Sequence, residues 1–300
     1  MEFFKSNSSV GFMRARKIAY AISAVMFVVS IGALVFKGLN FGVDFTGGVT
    51  IEAKFTQQAQ PETLRRSFEA AGFEDVQVQN FGSSRDVAIR LPPPSGETAD
   101  AIRARVETVL RAADANVVIS RAEIVGPQVG AELRNSAIVA LISTLILIFI
   151  YVFLRFHAWQ LSAGAILAAI HDPIIVLGFF ALTGMVFDLS VVAALLAVIG
   201  YSLNDTVVVF DRIREYLADH KGARADKGVI NYALNSTLSR TFNTSWTTII
   251  VLLVIFIFGG EVLRGFIFAI LLGIVVGTYS SLFVASPILY DATPKDDKTK

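Results

Sequence analysis

Gly200-Tyr201-Ser202-Leu203-Asn204-Asp205-Thr206-Val207-Val208-Val209-Phe210-Asp211-Arg212 sets a carboxylate inside an apolar run long enough to cross a membrane. Asp205 stands roughly 9 Å of helix rise inside the charged edge formed by Asp211 and Arg212. An ionisable side chain at that depth costs at least about 2.5–3.5 kcal/mol on insertion scales, so such groups face a bundle interior or a wet pathway. The stretch therefore predicts a helical membrane protein with a proton or ion route along this helix.

Further apolar runs extend the reading over the whole chain. They lie at 18–36, 137–154, 161–182, 186–210, 241–258 and 265–290, each able to cross about 30 Å of hydrocarbon. Six spans follow. A hydrophobic content of 54% with 24 Phe in 300 residues excludes the soluble globular class. The first run is too long, and too poorly followed by small residues, for a cleaved signal peptide, so it is read as an uncleaved anchor.

Basic residues give the orientation. Lys5, Arg14, Arg16 and Lys17 precede span one, Arg155 follows span two, and Arg212, Arg214, Lys221, Arg224, Lys227 and Arg240 lie between spans four and five. Lys295, Lys298 and Lys300 end the chain, and the short opposite loops at 183–185 and 259–264 carry only Arg264. Short-loop Lys and Arg mark the cytoplasmic side. The expected division is a cytoplasmic N-terminus at 1–17, a first span at 18–36 and a periplasmic domain at 37–134. Spans two to six occupy 135–290 with a cytoplasmic loop at about 211–240, and a cytoplasmic tail occupies 291–300.

Between the first two spans the pattern becomes that of a soluble domain. Alternation predicts strands at 49–55, 76–81, 86–91 and 117–125, with a turn at Gly82-Ser83-Ser84. A helix at 61–71 opens with Pro61 and closes at Gly72. Pro92-Pro93-Pro94-Ser95-Gly96 is a stiff connector to a second helix at 98–113, which places Ile102, Val106, Val109 and Leu110 on one face. The order β-α-β-β-α-β predicts a ferredoxin-like α+β unit. The fold says little about its task, and the residues favour binding or force coupling over an active site.

Within the spans, Asp205 shares a helix face with Tyr201 at i−4 and Ser202 at i−3, while Asn204 is turned away by about 100°. A carboxyl lined by hydroxyls can hydrogen-bond whether or not it carries a proton, so Asp205 is expected to load and release one. Arg240 opens a polar ladder of Thr241, Asn243, Thr244, Ser245, Thr247 and Thr248. Its stem can snorkel outward or turn toward Asp205, and that swing would gate protonation; the alternatives are a permanent Asp205–Arg240 pair and a simple interfacial anchor. His171 and Asp172, followed by Pro173, are further relay candidates in span three, pointing about 100° apart. Gly273 and Gly277 form a G-x-x-x-G suited to close helix approach.

Several chemistries are excluded. The chain has no Cys, and its net charge of +1 comes with no basic-aromatic patch suited to nucleic acid. It has no H-E-x-x-H metal spacing and no G-x-x-x-x-G-K-[ST] phosphate loop. No metal or cofactor is expected; the energy source would be a proton gradient.

Asn40-Phe41-Gly42-Val43-Asp44-Phe45-Thr46-Gly47-Gly48, Val125-Gly126-Pro127-Gln128-Val129-Gly130, Ile170-His171-Asp172, residues 200–215 and Leu238-Ser239-Arg240-Thr241 occur in one order across nearly the whole chain. In these motifs the sequence resembles the SecF family of the bacterial Sec translocon, within the resistance-nodulation-division superfamily. The resemblance implies a six-span half of a SecD–SecF complex in the inner membrane, assisting preprotein export by proton motive force. It implies Asp205 and Arg240 in the proton pathway and a motif after span one containing Gly42, Asp44, Gly47 and Gly48. It also implies SecD, the SecYEG channel, SecA, YajC, secreted preproteins and the lipid bilayer as partners. Two other readings compete: a proton-driven exporter of lipids or small hydrophobic molecules, and an intramembrane aspartyl protease using Asp172 and Asp205, which lacks a G-x-G-D signature.

Overall fold

The structure, a computed structural model, describes residues 10–74, 76–81, 83–92, 99–220, 223–258 and 263–294. Lys5, Gly82, most of the proline-rich connector, Lys221 and the terminal Lys295, Lys298 and Lys300 lie outside the described residues.

Helix α1 (Phe12–Phe36) leads into strand β1 (Asn40–Phe41), the short helix α2 (Val43–Thr46) and strand β2 (Gly48–Lys54). Helix α3 (Pro61–Ala70), strands β3 (Gln77–Phe81) and β4 (Ser83–Leu91), helix α4 (Ala99–Ala113) and strand β5 (Val118–Val125) complete the domain. Then come α5 (Pro127–Phe156), α6 (Trp159–Thr183), β6 (Val186–Phe187), α7 (Leu189–Asp219), α8 (Lys227–Phe258) and α9 (Arg264–Ser280). A π-helical turn at Ser281–Ala285 passes into α10 (Ser286–Ala292). Among the described residues six helices are long and apolar enough to cross a membrane, the last being α9 with its continuation to Ala292.

The domain is an antiparallel four-stranded sheet in the order β3-β4-β2-β5. β4 lies between β2 and β3, as a split β-α-β unit requires. Period-two alternation gives the sheet two unlike faces. Val49, Ile51 and Ala53 of β2 and Val87, Ile89 and Leu91 of β4 are buried against Leu64 and Phe68 of α3 and Ile102, Val106 and Leu110 of α4. Pro61 opens α3, and Gly72 at φ +83° closes it, with the Phe73 N–H donating to Phe68 O at 3.1 Å as a left-handed C-terminal cap does. The opposite face carries Thr50, Glu52, Arg90, Arg121 and Glu123 and borders a cleft of about 220 Å³ above the helix bundle.

α6, α7 and α9 are the inner helices of the bundle, and α1, α5 and α8 are mostly exposed on this chain. At one end Phe12, Met13, Val152, Phe156, Phe210, Ile213, Ile230 and Leu234 pack together. At the other, next to the domain, Phe45, Val176, Phe180, Phe187, Val191 and Leu195 do so.

Several local expectations are corrected. Residues 211–240 are not a loop: α7 continues to Asp219 and α8 starts at Lys227, because Arg212 and Glu215 pair one turn apart and Ile213, Ile230 and Leu234 keep the extended helices packed. Ser83 and Ser84 belong to β4, not to a turn. Val186 and Phe187 pair in parallel with β1, and α7 begins only after Asp188, whose Oδ1 accepts the Val191 N–H at 3.0 Å as an N-cap. The sixth span is interrupted by the π turn.

Phe68 is fully buried at the centre of the domain core. Phe68→Ala is expected to destabilise the domain by about 3–5 kcal/mol, measured by urea unfolding of the full-length protein in detergent. A loss below about 1 kcal/mol would contradict this core.

Candidate functional site

Polar side chains form a layer between the two apolar ends of the bundle. On α6, Leu161, Ala165 and Ala168 belong to one apolar cluster and Val176 and Phe180 to the other, with His171 and Asp172 between them. On α7, Leu195 and Val209 bracket Ser202 and Asp205 in the same way. All four polar residues are buried.

Asp172 is the hub of this layer and is fully inaccessible. Its Oδ2 accepts the hydroxyl of Ser202 from α7 at 2.5 Å and that of Ser280 from α9 at 2.8 Å. Its Oδ1 is 2.9 Å from His171 Nδ1. One carboxylate thus ties three helices together. Such reach requires the backbones to come close, and small residues allow it. A Cβ on Gly277 would lie 2.9 Å from Ser202 Cβ, one on Gly273 would run into Val198, and one on Gly164 would lie 2.6 Å from Ala285 O. The G-x-x-x-G on α9 therefore packs against α7 of the same chain. Ser280 is the last residue before the π turn, a feature frequent at functional sites.

Asp205 stands one turn further along α7 in a different environment. It is 3% exposed, and its Oδ2 is a buried atom with no partner among the described residues, as are the Tyr201 hydroxyl, Thr241 Oγ1 and His171 Nε2. Ser202, expected beside Asp205, gives its hydroxyl to Asp172 instead, and Tyr201 does not reach the carboxyl. Asn204 and Arg240 are exposed. Asp205 and Arg240 are not within the 4.0 Å of an ion pair, which removes the permanent pair as a description of this state.

The polar ladder on α8 turns mostly inward on its own backbone. Thr244 bonds to Arg240 O and Thr241 O, Thr247 to Asn243 O and Thr248 to Thr244 O, the back-bonding by which hydroxyls satisfy themselves in helices. Ser245 reaches across to Thr278 of α9 at 2.7 Å.

Sequence reasoning places the side chains of His171 and Asp172 about 100° apart around α6. Their side chains nevertheless bond to each other, and the His171 ring stacks on Phe27 of α1 with centroids 6.5 Å apart. It also missed Ser280; the available signal was the unusual run of Ser280, Ser281 and Ser286 in an apolar span. Asp172 and Asp205 share no hydrogen bond, and serine hydroxyls and His171 occupy the Asp172 oxygens. That is not the proton-sharing pair an aspartyl protease needs.

Comparison with known proteins gives the family. The family described as protein export membrane protein SecD/SecF, C-terminal, matches residues 105–295, and the SecD/SecF GG motif matches residues 32–59. The chain is 45% identical to the protein translocase subunit SecF of Vibrio alginolyticus, covering 96% of this chain and 91% of that protein. The chain belongs to the SecF family. The SecF subunit of Haemophilus influenzae is 44% identical over 93% of this chain and 85% of that protein. The fold is similar to the crystal structure of SecDF, a translocon-associated membrane protein from Thermus thermophilus, with a TM-score of 0.86 and 36% identity. That likeness covers 96% of this chain and 39% of the longer one. SecDF in a super-membrane-facing form gives a TM-score of 0.69. As a SecF-family protein the chain is a component of Sec protein export, multi-pass in the inner membrane.

The two buried carboxyls differ in what they hold together. Asp172→Leu removes the acceptor for three donors and is expected to cost about 3–5 kcal/mol, whereas Asp205→Leu removes a buried group with no fixed partner and should leave stability unchanged or raised. Thermal unfolding in detergent checks the order, and equal losses would contradict it.

Proposed function

We propose that this chain uses proton passage at Asp205 to promote late steps of preprotein translocation, as one six-span half of a complex whose other half is SecD. The SecYEG channel, SecA and YajC complete the proposed assembly. The observation that carries the reading is a carboxyl held within the bundle, on an apolar helix, with an oxygen left unpartnered. A buried carboxyl without fixed partners is an expensive group to keep in a membrane, and a carrier must be free to exchange its proton. Asp172, saturated by three donors, serves as a fixed point about which α7 is held.

Arg240 acts as a movable charge. In this state it stands beyond ion-pair distance of Asp205; its closer approach would favour the ionised carboxylate and its retreat would release that bias. The acidic residues of SecD would complete the route, so this chain alone would not conduct productively. The termini and the connection between α7 and α8 are proposed to face the cytoplasm, and the sheet domain the periplasm. In support, Arg16, Arg155, Arg212 and Arg214 gather at the bundle end remote from the domain, where Arg16 approaches Asp291 at 3.6 Å and Arg155 bonds to Asp211 at 2.8 Å.

A charge crossing 100 mV yields about 2.3 kcal/mol, which moves a two-state equilibrium about 50-fold. That suffices to bias a domain between two positions and falls short of unfolding one. The function is accordingly a ratchet that holds and releases an emerging chain.

Asp205→Asn keeps the shape of the side chain and removes the exchangeable proton. In proteoliposomes containing the full complex it is expected to lose at least tenfold in gradient-stimulated export while still copurifying with SecD. Full stimulation in this variant would overturn the reading.

A further inference from the structure

The segment joining the first span to the sheet lies outside the buried polar layer and is bonded to the helix bundle along its length. β1 pairs in parallel with β6, Asn40 opposite Val186 and Phe41 opposite Phe187. The Gly42 N–H donates to Phe187 O at 2.9 Å, and Asn40 Nδ2 donates to Gly184 O at 2.9 Å. α2 then brings Asp44 over the start of α7, where its Oδ2 accepts the Leu189 N–H at 2.9 Å. That amide is among the four at a helix start that have no partner within the helix. A carboxylate is favoured there by the helix dipole as well. Phe45 stacks on Phe187 with centroids 5.7 Å apart, and Phe41 meets both edge-on.

The far end of the segment is held equally closely. Gly47 and Gly48 have φ of +71° and +125°, a region that side chains resist. A Cβ on Gly47 would lie 2.9 Å from Pro127 Cα, one on Gly48 would lie 2.5 Å from Leu91 O, and one on Gly130 of α5 would lie 2.8 Å from Gly47 N. Directly after Gly47 the chain becomes β2, which is flanked on both sides in the sheet. Elsewhere the polar face of the sheet meets the bundle across the charged cleft. There burial holds Arg90 below the usual arginine range against the opposing charges of Asp188 and Glu52.

One short segment is therefore bonded to the first residue of α7 and continuous with an inner strand of the domain. α7 runs unbroken from Leu189 to Asp219, so Leu189 and Asp205 are about 24 Å apart along one helix axis. We propose that residues 40–48 form a rigid strap that transmits displacement of α7 to β2, with Asp44 as the positioning residue that fastens it. This rests on the reading of Asp205 as the proton carrier on the same helix. The double glycine is required because the strap passes between Pro127, Gly130 and Leu91 with no room for side chains.

The test uses the full complex in proteoliposomes and reads the fold stimulation of export by an imposed proton gradient. Asp44→Ala removes the acceptor and is expected to lose most of the stimulation, whereas Asp44→Asn, whose side-chain oxygen still accepts the Leu189 N–H, should keep at least half. The chain has no Cys, so Asn40→Cys with Val186→Cys gives a clean crosslink between register partners. A rigid strap predicts that the oxidised pair keeps its stimulation. Stimulation retained in Asp44→Ala, equal loss in Asp44→Asn, or loss on oxidation that reduction restores would each overturn the strap. Copurification with SecD monitors assembly; if Asp44→Ala fails to assemble, the crosslinked pair decides. Wild-type export that ignores the gradient would reject the proton reading, and the strap with it.

Discussion

The three hydrogen bonds that converge on Asp172 hold the inner helices of this protein in register. A polar group in hydrocarbon has no water to fall back on, so its partners must come from neighbouring helices. Ser202 and Ser280 supply them across two helix interfaces, and His171 supplies a third from the same helix. Close approach of α7 and α9 at Gly273 and Gly277 is the geometric condition for that clamp. The apolar clusters at the two ends of the bundle are the layers between which the polar groups are enclosed.

Against that fixed point Asp205 stands out by what it lacks. The two buried carboxyls divide by what they bond: that of Asp172 on α6 is held by three hydrogen bonds, and that of Asp205 on α7 leaves its Oδ2 without a partner among the described residues. The division follows from partners rather than burial, since both are almost fully buried. The outer domain is joined to the same helix by backbone pairing and a capping carboxylate, while its polar sheet face is separated from the bundle by a charged cleft. The chain from Asp205 to the sheet is therefore one unbroken helix followed by a bonded segment that leads into β2.

Much of this was legible in the residues, and the exceptions have physical causes. Asp205 announced itself because a lone carboxylate in an apolar run has few explanations, and the domain strands followed from period-two alternation. Ser202 was assigned to the wrong carboxyl because i−3 spacing defines neighbours on one helix only. Its partner on α6 depends on helix packing, which no local pattern encodes. The helical extensions through Asp219 and from Lys227 were hidden by their charge, since a helix leaving the membrane exposes a polar surface and loses its apolar signature. The π turn after Ser280 is a shift in backbone hydrogen bonding with no composition of its own. Gly47 and Gly48 were visible as a motif, but their necessity lies in Pro127 and Leu91, which are distant in sequence.

The central claim is that the Asp205 carboxyl changes protonation state as the complex works. Isotope-edited infrared difference spectroscopy on the reconstituted complex, recorded with and without a proton gradient, tests it most directly. The account predicts a protonated carboxyl C=O stretch that responds to the gradient and is absent in Asp205→Asn. A spectrum with no such band, or a band that persists unchanged in the variant, would contradict it.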